Sequence, residues 1–463
     1  MRELADVRRR RGALLRALLA LLLSFALVAQ PAAAQNVLRD AETEALLNDI
    51  ARPLIIAAGL EPHNVKIILL QDPEINAFVA GGQAVYIHSG LIAKADNYNQ
   101  VQGVIAHEIG HITGGHVVRM AEGASAATGI SILSLLLGAA AIAAGAGEAG
   151  MGVLMAGQQA AMGKFLAFTR TQEASADAAG VSFLRRAGIS GKGMIDFFGK
   201  LRREEYRFSP SYTDVDPYSQ THPMTADRQA AIEHDLRSDP AWGKPLDPLF
   251  QARFERIKAK LIGYVNDPDD VLRLYPLSDT SLPGHYARAY AYHRSAYPEQ
   301  AAREVDALLA AAPHDPYFLE IKGQILLESG HPRDAVAPLR EAVERSRNDP
   351  LIASTLGSAL IATEDPAVRT EAKQVLRTAV ARDNENPFAW YQLGVVYGQE
   401  GDLAHAALAT AERYSLEGQP SLALASAENA LRGIPEGTPD WIRAQDISMT
   451  ARVAAEQERR RRH

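Results

Sequence analysis

The stretch GVIAHEIGHITGGHVV (Gly103–Val118) carries three histidines and one glutamate within ten residues. Around it, Val101, Val104, Ile105, Ile109 and Ile112 recur at helical spacing, so Asn99–Arg119 reads as one helix. His107 and His111 are four apart, which puts both imidazoles on one face, roughly 6 Å apart along the axis. Two imidazoles so placed can converge on a single ion. Glu108, one step round the helix, can reach a water on that ion without being a ligand itself.

A third ligand decides the class of site. A histidine six residues past His111 would define one class, but that place is Val117, and His116 falls one residue early. A glutamate on a later helix defines another. The stretch RTQEASADAAG (Arg170–Gly180) offers Glu173 as that ligand. Asp177 follows one turn on and is expected to hydrogen-bond a ligand imidazole from behind. Ala174, Ala176 and Ala178 leave room for close helix packing. Two histidines and a carboxylate leave one position open, the geometry of a catalytic Zn2+, one per chain. Glu108 is then the general base for an attacking water.

Within SQTHPMTADRQ (Ser219–Gln229), His222 precedes Pro223 and is expected in extended or turned backbone. It is a candidate to approach the metal from the open side. There it would either stabilise an oxyanion or close the site as a reversible fourth ligand, with Arg228 as an orienting partner.

The rest of the 463 residues frames this site. There are no cysteines, so disulfides and thiolate ligands are excluded. The formal charge of −7 gives no reason to expect a nucleic acid partner. Residues 1–34 read as an export signal: a basic VRRRRG (Val7–Gly12), an apolar core, and an Ala-x-Ala site with cleavage expected after Ala34, which points to a periplasm. The segment Val65–Ile92 reads as strands, with a hairpin at Gly81-Gly82. Its Asn76, Ala77 and Phe78 are expected on an edge that pairs with the backbone of an extended substrate. From Ser125 to Gly147 there is no charge, long enough to cross a bilayer. Ligands before and after that segment must share one side, so only zero or two crossings are allowed; zero is preferred, with peripheral membrane contact through 125–163.

Beyond about Leu246 the texture changes to helical repeats. Pro316 and Pro350 are 34 residues apart, as are Gly323 and Gly357, and Pro387 and Gly394 follow after 37, implying an insertion near EDPAVRT. Further copies are expected to begin near Pro283 and Thr410. The period matches tetratricopeptide-like repeats. The expected organisation is 1–34 signal, 35–245 metalloprotease domain, 246–282 helical connector, 283–440 repeats, and 441–463 charged tail. The fold class is α+β and mostly helical: a gluzincin-type metalloprotease domain followed by an all-α repeat domain.

These residues, His107–His111, Glu173 to Asp177, and Thr221-His222-Pro223 with Arg228, resemble the HtpX/CAAX-prenyl-protease superfamily of zinc metallopeptidases. The export signal and the repeats make the chain similar to its periplasmic BepA-type branch. The resemblance implies a zinc endopeptidase acting on unfolded or misassembled outer-membrane proteins, with the repeats contacting the outer-membrane assembly machinery. Two competing readings are a repeat-mediated chaperone or scaffold whose metal site is shut or vestigial, and a protease embedded in the bilayer. The intact set of three ligands plus Glu108 favours the enzyme.

Overall fold

A helix with no solvent face lies at the centre of the first half of the chain. The computed structural model describes residues 37–143, 146–208, 222 and 225–462; the export segment 1–34 and both Thr221 and Pro223 lie outside them. The central helix, α3 (Tyr98–Thr113), is buried from Tyr98 through His111. Its start is set by Asn97, whose side chain accepts a hydrogen bond from the Gln100 backbone N–H. Against it stand α1 (Ala41–Ala57) and a three-stranded sheet ordered β1-β3-β2, of β1 (Lys66–Leu70), β2 (Ala77–Ala80) and β3 (Ala84–His88). β1 runs parallel to β3 and β2 antiparallel. Gly81 and Gly82 turn the β2–β3 hairpin at φ of +61° and +98°, backbone that favours glycine.

Alternation on β3 sends Val85 and Ile87 into the core with Val104, Ile105 and Ile109 of α3. The same cluster takes Phe197 and Phe198 from α6 (Lys192–Phe208), Ile232 and Leu236 from α7 (Ala226–Arg237), and Phe254 and Ile257 from α8 (Pro248–Val265). Helix α8 lies in the stretch expected to be a connector, and it completes the first core.

Three expectations are corrected. Ser89–Ile92 is helical, in α2 (Ser89–Lys94), rather than strand. The helix expected over Asn99–Arg119 ends at Thr113, because Gly114 caps it and Gly115 turns left-handed at φ +62°. A separate helix, α4 (His116–Ala143), then begins and runs antiparallel to α5 (Gly147–Ala187). The stretch 441–463, expected as a charged tail, belongs to a helix starting at Pro439, which packs Ala444, Ile447 and Ala451 against its neighbours and also buries Ala455; the charged residues 456–460 past it are exposed or half-buried.

The α4–α5 hairpin is built inside out. Glycines line the seam: a Cβ on Gly138 would meet Leu154 at 2.5 Å, and one on Gly157 would meet Ser134 at 1.9 Å. Leu133, Leu135, Leu136 and Leu137 face outward and are more than half exposed. Residues His116–Ile142 form a helix long and apolar enough to cross a membrane.

After α9 (Pro268–Leu274), the remaining helices stack as pairs: α10 (Leu282–Arg294) with α11 (Pro298–Ala311), α12 (Pro316–Glu328) with α13 (Pro332–Arg345), and α14 (Pro350–Ala362) with α15 (Arg369–Arg382). Then come α16 (Pro387–Gln399) with α17 (Leu403–Leu416), and α18 (Pro420–Gly433) with α19 (Pro439–Arg462). The repeated Asp-Pro or Asn-Pro starts have a physical reason. Asp315, Asp349 and Asn386 cap with their side chains, and the following proline tolerates the first helical turn. The repeated glycines are close contacts: Gly323 meets Leu339, and Gly357 meets Leu376. The insertion is a short 3-10 turn at Pro366–Val368. The last pair starts at Pro420 rather than near Thr410, which lies inside α17.

The repeats fold back onto the first core. Arg256 of α8 pairs with Glu42 of α1 and, at 2.7 Å, with Asp315 at the head of α12. Lys260 is 4% exposed and pairs with Asp40, with Glu42 also 3.6 Å away. Burial pushes the Asp40 carboxyl up, but Lys260 and Thr43 outweigh it and hold it below the usual range. Lys260→Ala should therefore leave the Asp40 carboxylate without its ion-pair partner and cost about 3 kcal/mol. Urea unfolding of wild type and variant measures this, and an unchanged midpoint contradicts it.

Candidate metal centre

The site is made where α3 crosses α5. A Cβ on Gly110 would meet the Ala176 carbonyl oxygen at 2.5 Å, and one on Gly180 would lie 3.2 Å from Ala106. Only small residues allow this approach. Of the three alanines flagged in the sequence, Ala176 alone faces the crossing; Ala174 and Ala178 are exposed. The crossing lays Glu173 and Asp177 alongside His107 and His111.

Four donors converge. His107, His111, Glu173 and His222 are all buried, and each offers a ligand atom within 4.8 Å of the others. His107 Nε2 lies 3.1 Å from His111 Nε2, 3.4 Å from Glu173 Oε2 and 3.3 Å from His222 Nδ1. His222 Nδ1 is also 3.0 Å from Glu173 Oε1. Imidazole and carboxylate donors packed this closely, with no thiolate, suit a divalent ion of the zinc type.

Glu108 is fully buried, and among the described residues neither carboxylate oxygen has a hydrogen-bond partner. Its Oε1 is 3.8 Å from His222 Nε2. A buried carboxylate left so is costly unless a water or a substrate group completes it. The only described residue it approaches as an ion pair is itself one of the convergent donors, so Glu108 faces the same space as they do.

Behind the donors stands a polar brace. Asp177 Oδ1 is 3.0 Å from His107 Nδ1. Arg228 of α7 donates to both Asp177 oxygens, at 2.7 and 2.9 Å, and lies 3.1 Å from Glu173 Oε2. Burial pulls the His107 imidazole down, yet Asp177 and Glu173 outweigh it and hold it up at about 10. Burial pushes Glu173 up, but hydrogen bonds from His107, His111 and His222 hold it far below the usual carboxylate range. A metal ion on His107 Nε2 and a proton there are alternatives, so uptake of the ion releases a proton.

One contributor was passed over in the sequence. His116, set aside there as one residue early for a ligand, sits behind His111 with their Nδ1 atoms 2.9 Å apart. Burial lowers His116 to about 4, so it is neutral and can accept the His111 Nδ1 proton. That leaves the His111 Nε2 lone pair facing the other donors. A Cβ on Gly114 would lie 2.2 Å from the His116 ring, so the Gly114-Gly115 break both ends α3 and swings His116 back. The glycine pair followed by a histidine was the available signal.

The sheet edge lies beside the centre. β2, with Asn76 preceding it and Ala77 and Phe78 within it, packs against α3. It is the outer strand next to β3, and no further strand pairs with it among the described residues.

The profile of peptidase family M48 matches residues 37–236. A β-barrel assembly-enhancing protease of Escherichia coli (strain K12) is 25% identical over 402 residues, covering 85% of this chain and 79% of that one. One from Yersinia pestis is 25% identical over 409 residues, covering 86% and 81%. The metalloprotease LoiP of Escherichia coli (strain K12) is 31% identical over 199 residues, covering 42% and 70%. Among solved structures, the repeat protein YrrB shares 21% identity over 38% of this chain and 91% of that one, at a TM-score of 0.31; the repeat assignment rests on the helix pairs themselves.

Removing the brace should loosen the ion without removing its donors. Asp177→Asn and His116→Phe are each expected to weaken zinc binding by about 10- to 100-fold. Competition with a chelator of known affinity measures it; unchanged affinity in both variants contradicts the assignment.

Proposed function

The chain belongs to peptidase family M48, and from that premise we propose that it is a zinc-dependent endopeptidase of the periplasm. Its substrates in this reading are unfolded or misassembled envelope and outer-membrane proteins, and its repeats recruit partners of the outer-membrane assembly machinery. The observation that carries the reading is the convergence of His107, His111, Glu173 and His222 beside the unpartnered Glu108. Names of the 25%-identical relatives supply the context of β-barrel assembly. The export segment 1–34 supplies the periplasm, and the domain division stays that of the sequence, 35–245 for the protease and 283–440 for the repeats, with α8 joined to the first and α19 to the second.

In this reading His107, His111 and Glu173 hold one Zn2+. Bound there, zinc would polarise the scissile carbonyl and acidify a water at neutral pH. Glu108 takes the proton of the attacking water and delivers it to the leaving amine. Asp177 and His116 hold the two imidazoles in the tautomer that presents Nε2 inward, and Arg228 fixes Asp177 and Glu173. β2 aligns the substrate backbone through the unpaired edge around Asn76, Ala77 and Phe78, reading main chain rather than side chains. Folded proteins, which cannot present an extended strand, are therefore poor substrates.

Glu108→Gln should keep about one zinc per chain and lose at least about 100-fold in casein cleavage. Loss of zinc along with cleavage, or a variant as active as wild type, contradicts the assignment.

A second reading has its own observation. His222 stands among the donors rather than at a distance, which suits a resting site that is shut, as in the chaperone or scaffold alternative. The two roles of His222 separate by sign. His222→Ala raises cleavage if His222 plugs the site and lowers it if His222 stabilises the oxyanion; no change in either cleavage or zinc affinity removes it from both roles.

We also propose that the α4–α5 hairpin rests in a membrane surface with its leucines in the acyl boundary. The support is its outward apolar face and glycine-lined seam. Leu135→Ser with Leu136→Ser should cut sedimentation with phosphatidylethanolamine–phosphatidylglycerol vesicles several-fold. Equal sedimentation contradicts the contact, and resistance of the wild type to carbonate extraction would indicate crossing instead.

A further inference from the structure

On the face of the sheet turned away from α3 lies a second set of metal-type donors. Strand alternation that sends Val85 and Ile87 into the core sends Tyr86 and His88 the other way. Phe78 stacks on Tyr86 at 5.0 Å and meets His88 edge-on at 6.0 Å, so all three share that face. His88 is nonetheless 1% exposed, and among the described residues neither ring nitrogen has a hydrogen-bond partner. An imidazole must donate from at least one nitrogen, so a buried ring with both unmet lacks a partner.

What it faces is acidic. His88 Nδ1 is 3.5 Å from Asp72 Oδ1, too far for a good hydrogen bond. That oxygen accepts instead from the Glu74 backbone N–H at 2.9 Å, and the turn so formed carries the Glu74 carboxylate back from the solvent side. One donor atom from each of Asp72, Glu74 and His88 lies within 4.8 Å of the others. Asn76 is paired with His88 by the hydrogen bond from the His88 N–H to the Asn76 carbonyl at 3.0 Å. Its buried Oδ1 is likewise without a partner.

The loop is held in place independently of these groups. Ser89 Oγ donates to the Asp72 carbonyl at 2.8 Å and accepts from the Asp72 N–H at 3.1 Å. Gly90 passes so close beneath that a Cβ would meet the Pro73 carbonyl oxygen at 2.1 Å. Asp72 and His88 are thus fixed by backbone and Ser89, while Glu74 is free to close from outside.

We propose that Asp72, Glu74 and His88 bind a second divalent transition-metal ion, distinct from that of His107, His111 and Glu173. One imidazole with two carboxylates is a donor set for Zn2+, Mn2+ or Co2+ rather than for Cu(I) or an iron–sulfur cluster. The His88 Nδ1–Asp72 Oδ1 separation of 3.5 Å is what two ligands at bond lengths of about 2.0–2.2 Å would show, and the exposed Glu74 stands within 4.8 Å of both. The ion ties the loop of residues 72–76 to the end of β3. That loop runs directly into β2, so the ion fixes the strand that forms the sheet edge beside α3.

The test uses Co2+ alone on the metal-stripped chain of residues 35–463, followed by its visible absorption and by metal content after gel filtration. Wild type should take up two equivalents, Glu173→Gln one and His88→Phe one. Glu74→Gln, at an exposed position that leaves the fold intact, should also lose the second equivalent and guards against misfolding of His88→Phe. The proposal is overturned if wild type holds a single equivalent that Glu173→Gln abolishes, or if Glu74→Gln and His88→Phe both retain two.

Discussion

The close crossing of α3 and α5 is the contact on which the site depends. Gly110 against the Ala176 carbonyl and Gly180 against Ala106 bring the two backbones near enough for side chains from both helices to meet. Any Cβ at Gly110 would push α5 away, and Glu173 would leave His107 and His111 together. The crossing also explains why α3 has no exposed face. Its other sides are taken by the sheet, α1 and α6, so the helix that carries the chemistry is positioned by the whole first core. Such rigidity suits a donor set whose members must keep their relative positions to within a fraction of an ångström.

Much of this was legible in the sequence because helical geometry is local. The four-residue spacing of His107 and His111 places two imidazoles on one face whatever surrounds them. Glu173 and Asp177 gain meaning from the same rule. The repeats were legible because each copy carries the same cap, proline and glycine. What was not legible depended on contacts distant in sequence or on single glycines. The stop at Gly114-Gly115 needed the left-handed turn at Gly115, and with it came the position of His116. The helix at Ser89–Lys94 depends on Gly90 passing beneath Pro73. The C-terminal segment looked like a solvated tail because its charges dominate the composition, but its alanines recur at helical spacing and find a partner in α18.

The repeats are not an appendage to the first core. Ala41, just past the N-cap of α1, belongs to the repeat cluster. Arg39 reaches Asp383 at 2.8 Å and Lys66 of β1 reaches Glu385 at 2.5 Å. Together with the Arg256–Asp315 pair, these contacts tie the head of α12 and the turn before α16 to the rim of the first core. The surface ion pairs add little individually. The buried Lys260–Asp40 pair, between α8 and the N-cap of α1, matters more because either charge left there without the other is costly.

The apolar hairpin and the metal donors share one rod. α5 runs without a break from the hairpin tip at Gly147 to Ala187, and Glu173 and Asp177 sit within it. At 1.5 Å per residue, Glu173 stands about 33 Å from Met151 near the tip. A helix of that length with no proline inside transmits a tilt at one end to the other, with only gentle bending. The outward leucines and the donors therefore cannot be treated as independent features. Whatever the leucines rest on sets the angle of α5, and the angle of α5 is constrained at the crossing by Gly110 and Gly180. Because α4 packs along α5 beside it, a tilt of the hairpin is a tilt of both helices, and α5 carries it to the residues that face His107 and His111.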